Sequence, residues 1–82
     1  MKNRKYVLNI IETIRDMEWK ILSVWVDNNC IFAEIKNKYG KIEEVGLFAG
    51  SDIDLNNVYE VFRELKYNLN INNMLNDDNI LI

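Results

Sequence analysis

Few side chains in this chain have the chemistry of a catalyst. The sequence of 82 residues contains no histidine and a single cysteine, Cys30. A nucleophilic cysteine needs a general base beside it, and histidine is the usual one. Cys30 lies two residues before Phe32 in an apolar segment, where a small packing residue is the simpler interpretation. The sequence therefore excludes cysteine-protease chemistry and an internal disulfide.

Paired carboxylates occur twice near the middle of the chain, and neither pair predicts a site. Asp52 and Asp54 offer oxygen ligands for a divalent ion, but Asp54 directly precedes an apolar periodic segment and is expected to cap a helix there. Glu43 and Glu44 are neighbours on a strand, so their side chains point to opposite faces. We predict a protein with no enzymatic activity, no metal and no cofactor.

The sequence between residues 19 and 49 predicts a meander of three antiparallel strands. Asn28-Asn29 suits a two-residue type I′ turn, and Gly40 suits the left-handed position of a three-residue turn. These turns predict the pairs Val26–Ile31, Val24–Ala33, Leu22–Ile35, Trp25–Phe32 and Ser23–Glu34, followed by Val45–Ala33 and Leu47–Ile31. The face expected to lie against the helices consists of Leu22, Val24, Val26, Ile31, Ala33, Ile35, Val45 and Leu47.

The opposite face of the meander is richer in apolar side chains than a solvated surface should be. Its expected members are Trp19, Ile21, Trp25, Cys30, Phe32, Ile42 and Phe48, with Ser23, Glu34, Lys36 and Glu44 among them. We predict one protein-binding patch there, formed by Trp19, Trp25, Phe32 and Phe48.

Three covers for this second face are open. The first is the tail of the chain itself, through Ile71, Leu75, Ile80, Leu81 and Ile82. The second is another copy of the chain in a two-fold homodimer, and the third is a different protein. A division of the helices between the two faces would also cover it.

Helices are predicted before and after the meander. The second begins at Asp54 and should fray near Asn68–Asn70, because asparagine favours caps and turns; a short helical turn is expected over 71–75. The buried stripes are expected to be Val7, Leu8, Ile10, Ile11, Ile14 and Met17, then Leu55, Val58, Val61, Phe62, Leu65 and Leu69. The prediction is an α+β fold of order α-β-β-β-α with an Asn-rich tail or short helix. It forms a single small domain (1–82, compact over 6–69, tail 70–82).

Charge is unevenly distributed along the chain. The net charge is −3, and residues 51–82 carry six Asp or Glu against two Lys or Arg. The second helix therefore offers a weakly acidic surface to a basic partner, with Asp52, Asp54, Glu60 and Glu64 as further protein-binding candidates. Lysines near Tyr39, with the aromatic residues, keep single-stranded nucleic acid as an alternative partner. The acidic balance of the chain disfavours it.

The composition predicts a protein of the bacterial cytoplasm. The sequence has no apolar run of about 20 residues and no signal-peptide pattern, so we expect no membrane partner. A single cysteine suits a reducing compartment. The many Asn, Ile and Lys residues suit A/T-rich codons, as in a low-GC bacterium or its phage.

The order and size of these elements resemble a family of small phage-encoded inhibitors. A first helix from Leu8 to Met17, the meander, and a second helix from Leu55 to Leu69 resemble the anti-CRISPR inhibitors of type II-A Cas9 over residues 6–76. The resemblance implies an acidic protein that mimics DNA and occupies the site where Cas9 reads the PAM duplex. The chain departs from that family at the turn over residues 38–41, which is basic where a DNA mimic is acidic.

The function predicted from the sequence is a non-enzymatic protein-binding module that inhibits a host defence protein, itself a nucleic-acid-binding effector. Two alternatives stay open: a homodimeric accessory protein, and a weak binder of single-stranded nucleic acid through the aromatic sheet face.

Overall fold

The computed structural model describes residues 3–51 and 54–75. They form α1 (Arg4–Met17), β1 (Lys20–Asp27), β2 (Cys30–Lys36), β3 (Ile42–Ala49) and α2 (Leu55–Ile71). The strands make one antiparallel sheet in the order β1-β2-β3. The predicted α-β-β-β-α order and α+β class are confirmed, whereas the predicted tail beyond Leu75 lies outside the described residues.

Helix α1 buries a narrower stripe than its sequence predicts. Val7, Ile10, Ile11 and Ile14 are buried, as the helical spacing indicates. Leu8 and Met17 were expected beside them but are about half exposed, at 49% and 50%, because they lie at the margins of the stripe. The helix ends at Glu18 in the left-handed conformation (φ 58°), a common helix stop that turns the chain towards β1.

Helix α2 starts where the sequence predicts and ends later. The Asp54 side chain accepts a hydrogen bond from the Asn57 amide at 3.0 Å, which caps the first turn. The predicted fraying near Asn68 is wrong, since the helix continues to Ile71. The Asn68 side-chain amide donates to the Glu64 carbonyl at 2.7 Å, so this asparagine bonds back along the helix. The buried residues are Val58, Val61, Leu65 and Leu69, while Leu55 is exposed and Phe62 is half-buried.

After α2 the chain returns to the edge of β1. The Met74 amide donates to the Leu69 carbonyl at 2.8 Å, and the Ile21 amide donates to the Met74 carbonyl at 3.2 Å. Leu75 then forms a parallel bridge with Ile21. The predicted helical turn over 71–75 is therefore wrong. Met74 and Leu75 pack against the helix-covered core, and Ile71 is exposed. The predicted cover of the second face by Ile71 and Leu75 is therefore wrong, and residues 80–82 lie outside the described part.

Both turns of the meander have the predicted chemistry. Asn28 and Asn29 have φ of 49° and 63°, and Gly40 has φ of 87°, as a type I′ turn and a glycine-containing turn require. The pairs confirmed are Val26–Ile31, Val24–Ala33, Trp25–Phe32, Ser23–Glu34 and Val45–Ala33. The local turn signals therefore fixed most of the register.

A bulge in β1 changes the predicted pairing register of the first hairpin beyond Ser23. Leu22 is the extra residue, so Ile21 pairs with Ile35 in its place. The shift carries Ile21 from the predicted second face into the core, where it is fully buried. It carries Lys20 in the other direction, away from the helices.

A second bulge, in β3, places Phe48 differently from the prediction. Leu47 is the extra residue, so Phe48 stands opposite Ile31 where Leu47 was expected. Phe48 packs against the core, and its ring meets the Tyr6 ring of α1 edge to face, with the ring centroids 5.1 Å apart. This contact anchors α1 over the β3 side of the sheet.

Both helices lie on one face of the sheet and share one core with it. Helix α2 contacts β1 and β2, helix α1 contacts β3, and the two helices contact each other. A helix on each face, the arrangement that would have covered the whole sheet, is not observed. The buried cluster consists of Val7, Ile10, Ile11, Ile14, Ile21, Ile31, Ala33, Ile35, Val58, Val61, Leu65 and Leu69.

The glycines Gly46 and Gly50 make a matched pair for testing this packing. A Cβ on Gly50 would overlap Val58 Cγ2 and lie 2.9 Å from the Asn29 carbonyl oxygen, whereas one on Gly46 would meet only the Phe32 ring at 3.8 Å. We expect Gly50→Ala to lower the free energy of unfolding by about 1–3 kcal/mol. Gly46→Ala should leave it unchanged or raise it by up to about 1 kcal/mol.

Urea unfolding followed by circular dichroism measures both values. A Gly50→Ala variant as stable as the wild type would contradict the close approach of Gly50 to Val58 of α2 and to Asn29 of the β1–β2 turn.

Candidate protein-binding surface

The side of the sheet away from the helices is the candidate surface, and we call it the outer face. Ile31, Ala33 and Ile35 of β2 point into the core, so the alternate residues of the strand point outward. The cross-strand partners extend this alternation to β1 and β3. The outer face consists of Lys20, Ser23, Trp25 and Asp27 of β1, Cys30, Phe32, Glu34 and Lys36 of β2, and Ile42, Glu44, Gly46 and Ala49 of β3.

Aromatic side chains form one row across the outer face, the apolar row Trp25–Phe32–Gly46. Trp25 and Phe32 are cross-strand partners whose rings stack with centroids 6.2 Å apart and planes 25° apart. The Phe32 ring also lies over Gly46 of β3, within van der Waals distance of where a Cβ would stand. An aromatic ring that covers a glycine on the next strand is a recognised way to stabilise a sheet. The row therefore holds two large rings in fixed positions.

Charged side chains form the next two rows. In the acidic row, Glu34 stands directly opposite Glu44, with Ser23 on β1. In the basic row, Lys20 stands opposite Lys36, with Ile42 on β3. Like charges directly opposite each other on one face are destabilising.

The four charged side chains of these rows have no partner among the described residues. Glu34, Glu44, Lys20 and Lys36 are all exposed, and none of their side chains forms a hydrogen bond or ion pair with another described residue. They are thus available to a molecule that lies against the outer face.

The prediction of one patch of four aromatic residues is corrected. Only Trp25 and Phe32 lie on the outer face; Trp19 and Phe48 pack against the core on the helix side. There they line a pocket of about 170 Å³ together with Tyr6 and other residues of α1. The β3 bulge accounts for the position of Phe48 on the helix side. The left-handed residue that ends α1 accounts for the position of Trp19, which precedes β1 and donates a hydrogen bond from its backbone amide to the Ile14 carbonyl.

The acidic candidates of the second helix do not form one surface. Asp52 lies outside the described residues, and Asp54 is engaged in capping α2. Glu60 accepts a hydrogen bond at 3.0 Å from the side-chain amide of Asn3, beside α1. Glu64 is half-buried, with one carboxylate oxygen out of contact with solvent.

The exposed face of α2 presents other residue types instead. Tyr59, Arg63, Tyr67 and Ile71 recur every four residues along the helix, and all four are exposed. Tyrosine and arginine are enriched at protein interfaces, but side chains four apart drift around a helix and here form no cluster of touching rings. This stripe is a weaker candidate than the stacked pair of the outer face.

The described residues offer little for metal or thiol chemistry. No three His, Cys, Asp or Glu side chains in residues 3–51 and 54–75 come together as a metal-binding group. Cys30 is a free, half-buried thiol on the outer face, opposite Asp27 and Ala49. Neither described helix has the length and apolar character needed to cross a bilayer.

Lys20 is the residue of the two charged rows that sequence reasoning missed. With unbroken alternation, Lys20 shares a face with Leu22 and would enter the core, where an unpaired lysine is very costly. That conflict was the available signal for a bulge between them. The bulge resolves it by placing Lys20 opposite Lys36 in solvent.

No protein-family model, curated protein or solved structure matches this chain. The geometry of the outer face is therefore the main basis for a functional proposal.

The two tryptophans should differ in their contribution to stability. Trp19 packs against the core, so we expect Trp19→Ala to lower the free energy of unfolding by about 2–3 kcal/mol. Trp25 stacks on Phe32 and is not among the side chains packed against the core, so Trp25→Ala should cost only about 1 kcal/mol, the value of an aromatic pair. Urea unfolding of both variants checks the difference, and an equal or reversed order would contradict the placement of the two rings.

Proposed function

We propose that this protein is a non-enzymatic protein-binding module that docks another protein molecule on the outer face. The observation that carries the proposal is the stacked Trp25–Phe32 pair, which lies on the side of the sheet that no described helix covers. Large aromatic side chains near the centre of a contact supply much of its binding energy. A pair already held in place loses little conformational entropy on binding.

The charges beside the rings favour a protein partner over a nucleic acid. Glu34 and Glu44 lie in the row next to Trp25 and Phe32. A nucleic-acid strand whose bases stack on the two rings would therefore bring its phosphates close to two carboxylates. Proteins that bind nucleic acid rely on cationic contacts to the phosphates. A protein surface of mixed charge meets no such repulsion, and the charged rows would instead fix its orientation.

Trp25→Ala tests the proposal, with Tyr67→Ala as its control. Tyr67 is an exposed aromatic residue on α2, away from the sheet. We expect immobilised wild type and Tyr67→Ala to retain the same protein, and Trp25→Ala to bind it at least about 30-fold more weakly, as for a hot-spot residue. Calorimetry with the purified partner gives the affinities.

Two results would count against the proposal. Equal binding by all three chains would place the contact elsewhere, and a wild type that retains nothing and is also monomeric would leave the outer face without a partner. A circular dichroism spectrum of each variant verifies that loss of binding is not loss of fold.

The resemblance to the type II-A Cas9 inhibitors supports a narrower proposal, that the bound protein belongs to a host defence system. The order α-β-β-β-α agrees with that resemblance. The arrangement of charge supports DNA mimicry poorly, because Asp54 and Glu60 are engaged within the chain and Arg63 is exposed between Glu60 and Glu64. Contact through the aromatic pair is therefore the better route to inhibition.

DNA cleavage by a type II-A Cas9 with a matched guide tests this narrower proposal. Excess wild-type protein should stop cleavage, and Trp25→Ala should not. Full cleavage in the presence of the wild type at every concentration would reject it for that enzyme and leave the general proposal standing.

A further inference from the structure

The outer face is complementary to itself in charge. Its rows follow one another along the strands in the order apolar, acidic, basic, and the β2–β3 turn comes next. Each charged row holds two like charges, and the two charged rows have opposite signs. A surface with this order of rows fits a second surface on which the order is reversed.

One symmetry operation produces that reversed surface. A two-fold axis that runs across the strands, between the acidic and basic rows, turns a second copy over and reverses the direction of its strands. The acidic row of each copy then faces the basic row of the other, and Glu34 meets Lys36 of the second copy from both sides. Glu44 lies over Ile42 and Lys20 lies over Ser23 of the second copy, each one strand away from an opposite charge. Packed sheets lie about 10 Å apart, a gap that these long side chains span from both sides.

Other two-fold arrangements are disfavoured by the same charges. An axis parallel to the strands would put each row on itself and bring the Glu34–Glu44 pair against the same pair of the second copy. An axis that passes through either charged row would also place that row against the same row of the second copy, so that like charges face each other. Like charges brought together at an interface are strongly unfavourable. An axis through the apolar row would avoid them, but it would leave Glu34 and Glu44 over Cys30 and Ala49 of the second copy, with no opposite charge across the interface. The axis between the charged rows is therefore the one that the charges favour.

The same operation gives the aromatic pair a counterpart. The apolar row is one row beyond the acidic row, so it faces the position one row beyond the basic row, which is the β2–β3 turn of the second copy. Tyr39 lies at this turn and is 84% exposed, with the Lys38 ammonium 5.5 Å from its ring centroid. Phe32 of β2 would thus meet an aromatic ring and a cation, both favourable neighbours for aromatic rings, and Trp25, one strand further from the turn, stacks on Phe32.

The β2–β3 turn is ordered enough to act in such a contact. The Asn37 side-chain oxygen accepts hydrogen bonds from the amides of Tyr39 and Lys41, both at 2.9 Å. The Asn37 side-chain amide donates to Glu43 at 2.7 Å. Tyr39 therefore projects from a braced turn, which lowers the entropy lost on binding.

From these observations we propose that the outer face binds a second copy of this chain, in a two-fold dimer with the two sheets face to face and antiparallel. The inference rests on the proposed function, since it names the partner that the outer face takes. The contact from the apolar row to the turn is about 20 Å long and 10–15 Å wide. This is below the roughly 800 Å² per partner of a standard interface, so we expect a weak dimer.

Charge reversal of one row at a time tests the proposal. The first variant, Glu34→Lys with Glu44→Lys, has two basic rows; the second, Lys20→Glu with Lys36→Glu, has two acidic rows. By sedimentation equilibrium between about 10 and 500 μM, the wild type should dimerise and each variant alone should dimerise at least about tenfold more weakly. An equimolar mixture of the two variants should form a heterodimer of near wild-type affinity.

A third variant keeps the net charge and composition of the wild type. Lys36→Glu with Glu44→Lys places an opposite charge across the strands in both rows, so its monomer should melt at least about 2 °C higher while the dimer is lost. Tyr39→Ala alters only the exposed turn and should also weaken the dimer. Wild-type dimers should dissociate more readily at about 500 mM salt than at about 50 mM.

Three results separate failure of this inference from failure of the proposed function. A monomeric wild type and a monomeric mixture overturn the dimer, and Trp25-dependent binding of a different protein would still uphold the proposed function. Monomers without any such binding overturn both. A dimer that survives charge reversal and Trp25→Ala lies on another surface and overturns the inference.

Discussion

The alternation of β2 is the constraint on which the rest of this structure depends. Ile31, Ala33 and Ile35 are fully buried beneath the two helices, and each buried isoleucine contributes about 1.5–3 kcal/mol. A slip of one residue would exchange them for Phe32, Glu34 and Lys36, bringing two charges into the core. Burial of one side of β2 therefore also fixes what the other side exposes, and the composition of the outer face is a consequence of the core.

The two bulges adjust the outer strands to that central strand. Unbroken alternation in β1 would bury Lys20 and expose Ile21, and the bulge at Leu22 reverses both outcomes. In β3 the bulge at Leu47 supplies Phe48 to the core, where Tyr6 holds it. Each bulge gives up regular ladder bonding at one position and brings an apolar side chain to the core, the fully buried Ile21 in β1 and the half-buried Phe48 in β3. The cores of small domains are limited in size, so these exchanges are a substantial part of their stability.

Local signals in the sequence were sufficient for the elements and much of the register. The Asn28-Asn29 turn and the Asp54 cap each depend on a few adjacent residues, and both are found as predicted. The apolar spacing places both helices, although Leu8, Met17 and Leu55 of the predicted stripes are exposed. The conflict between Lys20 and Leu22 signals a bulge in β1, but which side chain each bulge places against the core depends on what a distant helix can cover. The same limit applies to the aromatic patch: Trp25 and Phe32 followed from the turn, whereas Phe48 depended on α1.

The arrangement of charges on the outer face is more informative than their number. Charged residues on an exposed sheet are ordinarily explained by solubility, and that explanation is indifferent to which strand carries which sign. An exchange of the side chains at Lys36 and Glu44 would keep the same composition and place an opposite charge across every charged pair, worth about 0.2–1 kcal/mol each. The chain instead has like charges opposite each other in both rows. Stability and solubility of the isolated chain do not account for that choice, whereas a facing surface with the opposite order of rows does.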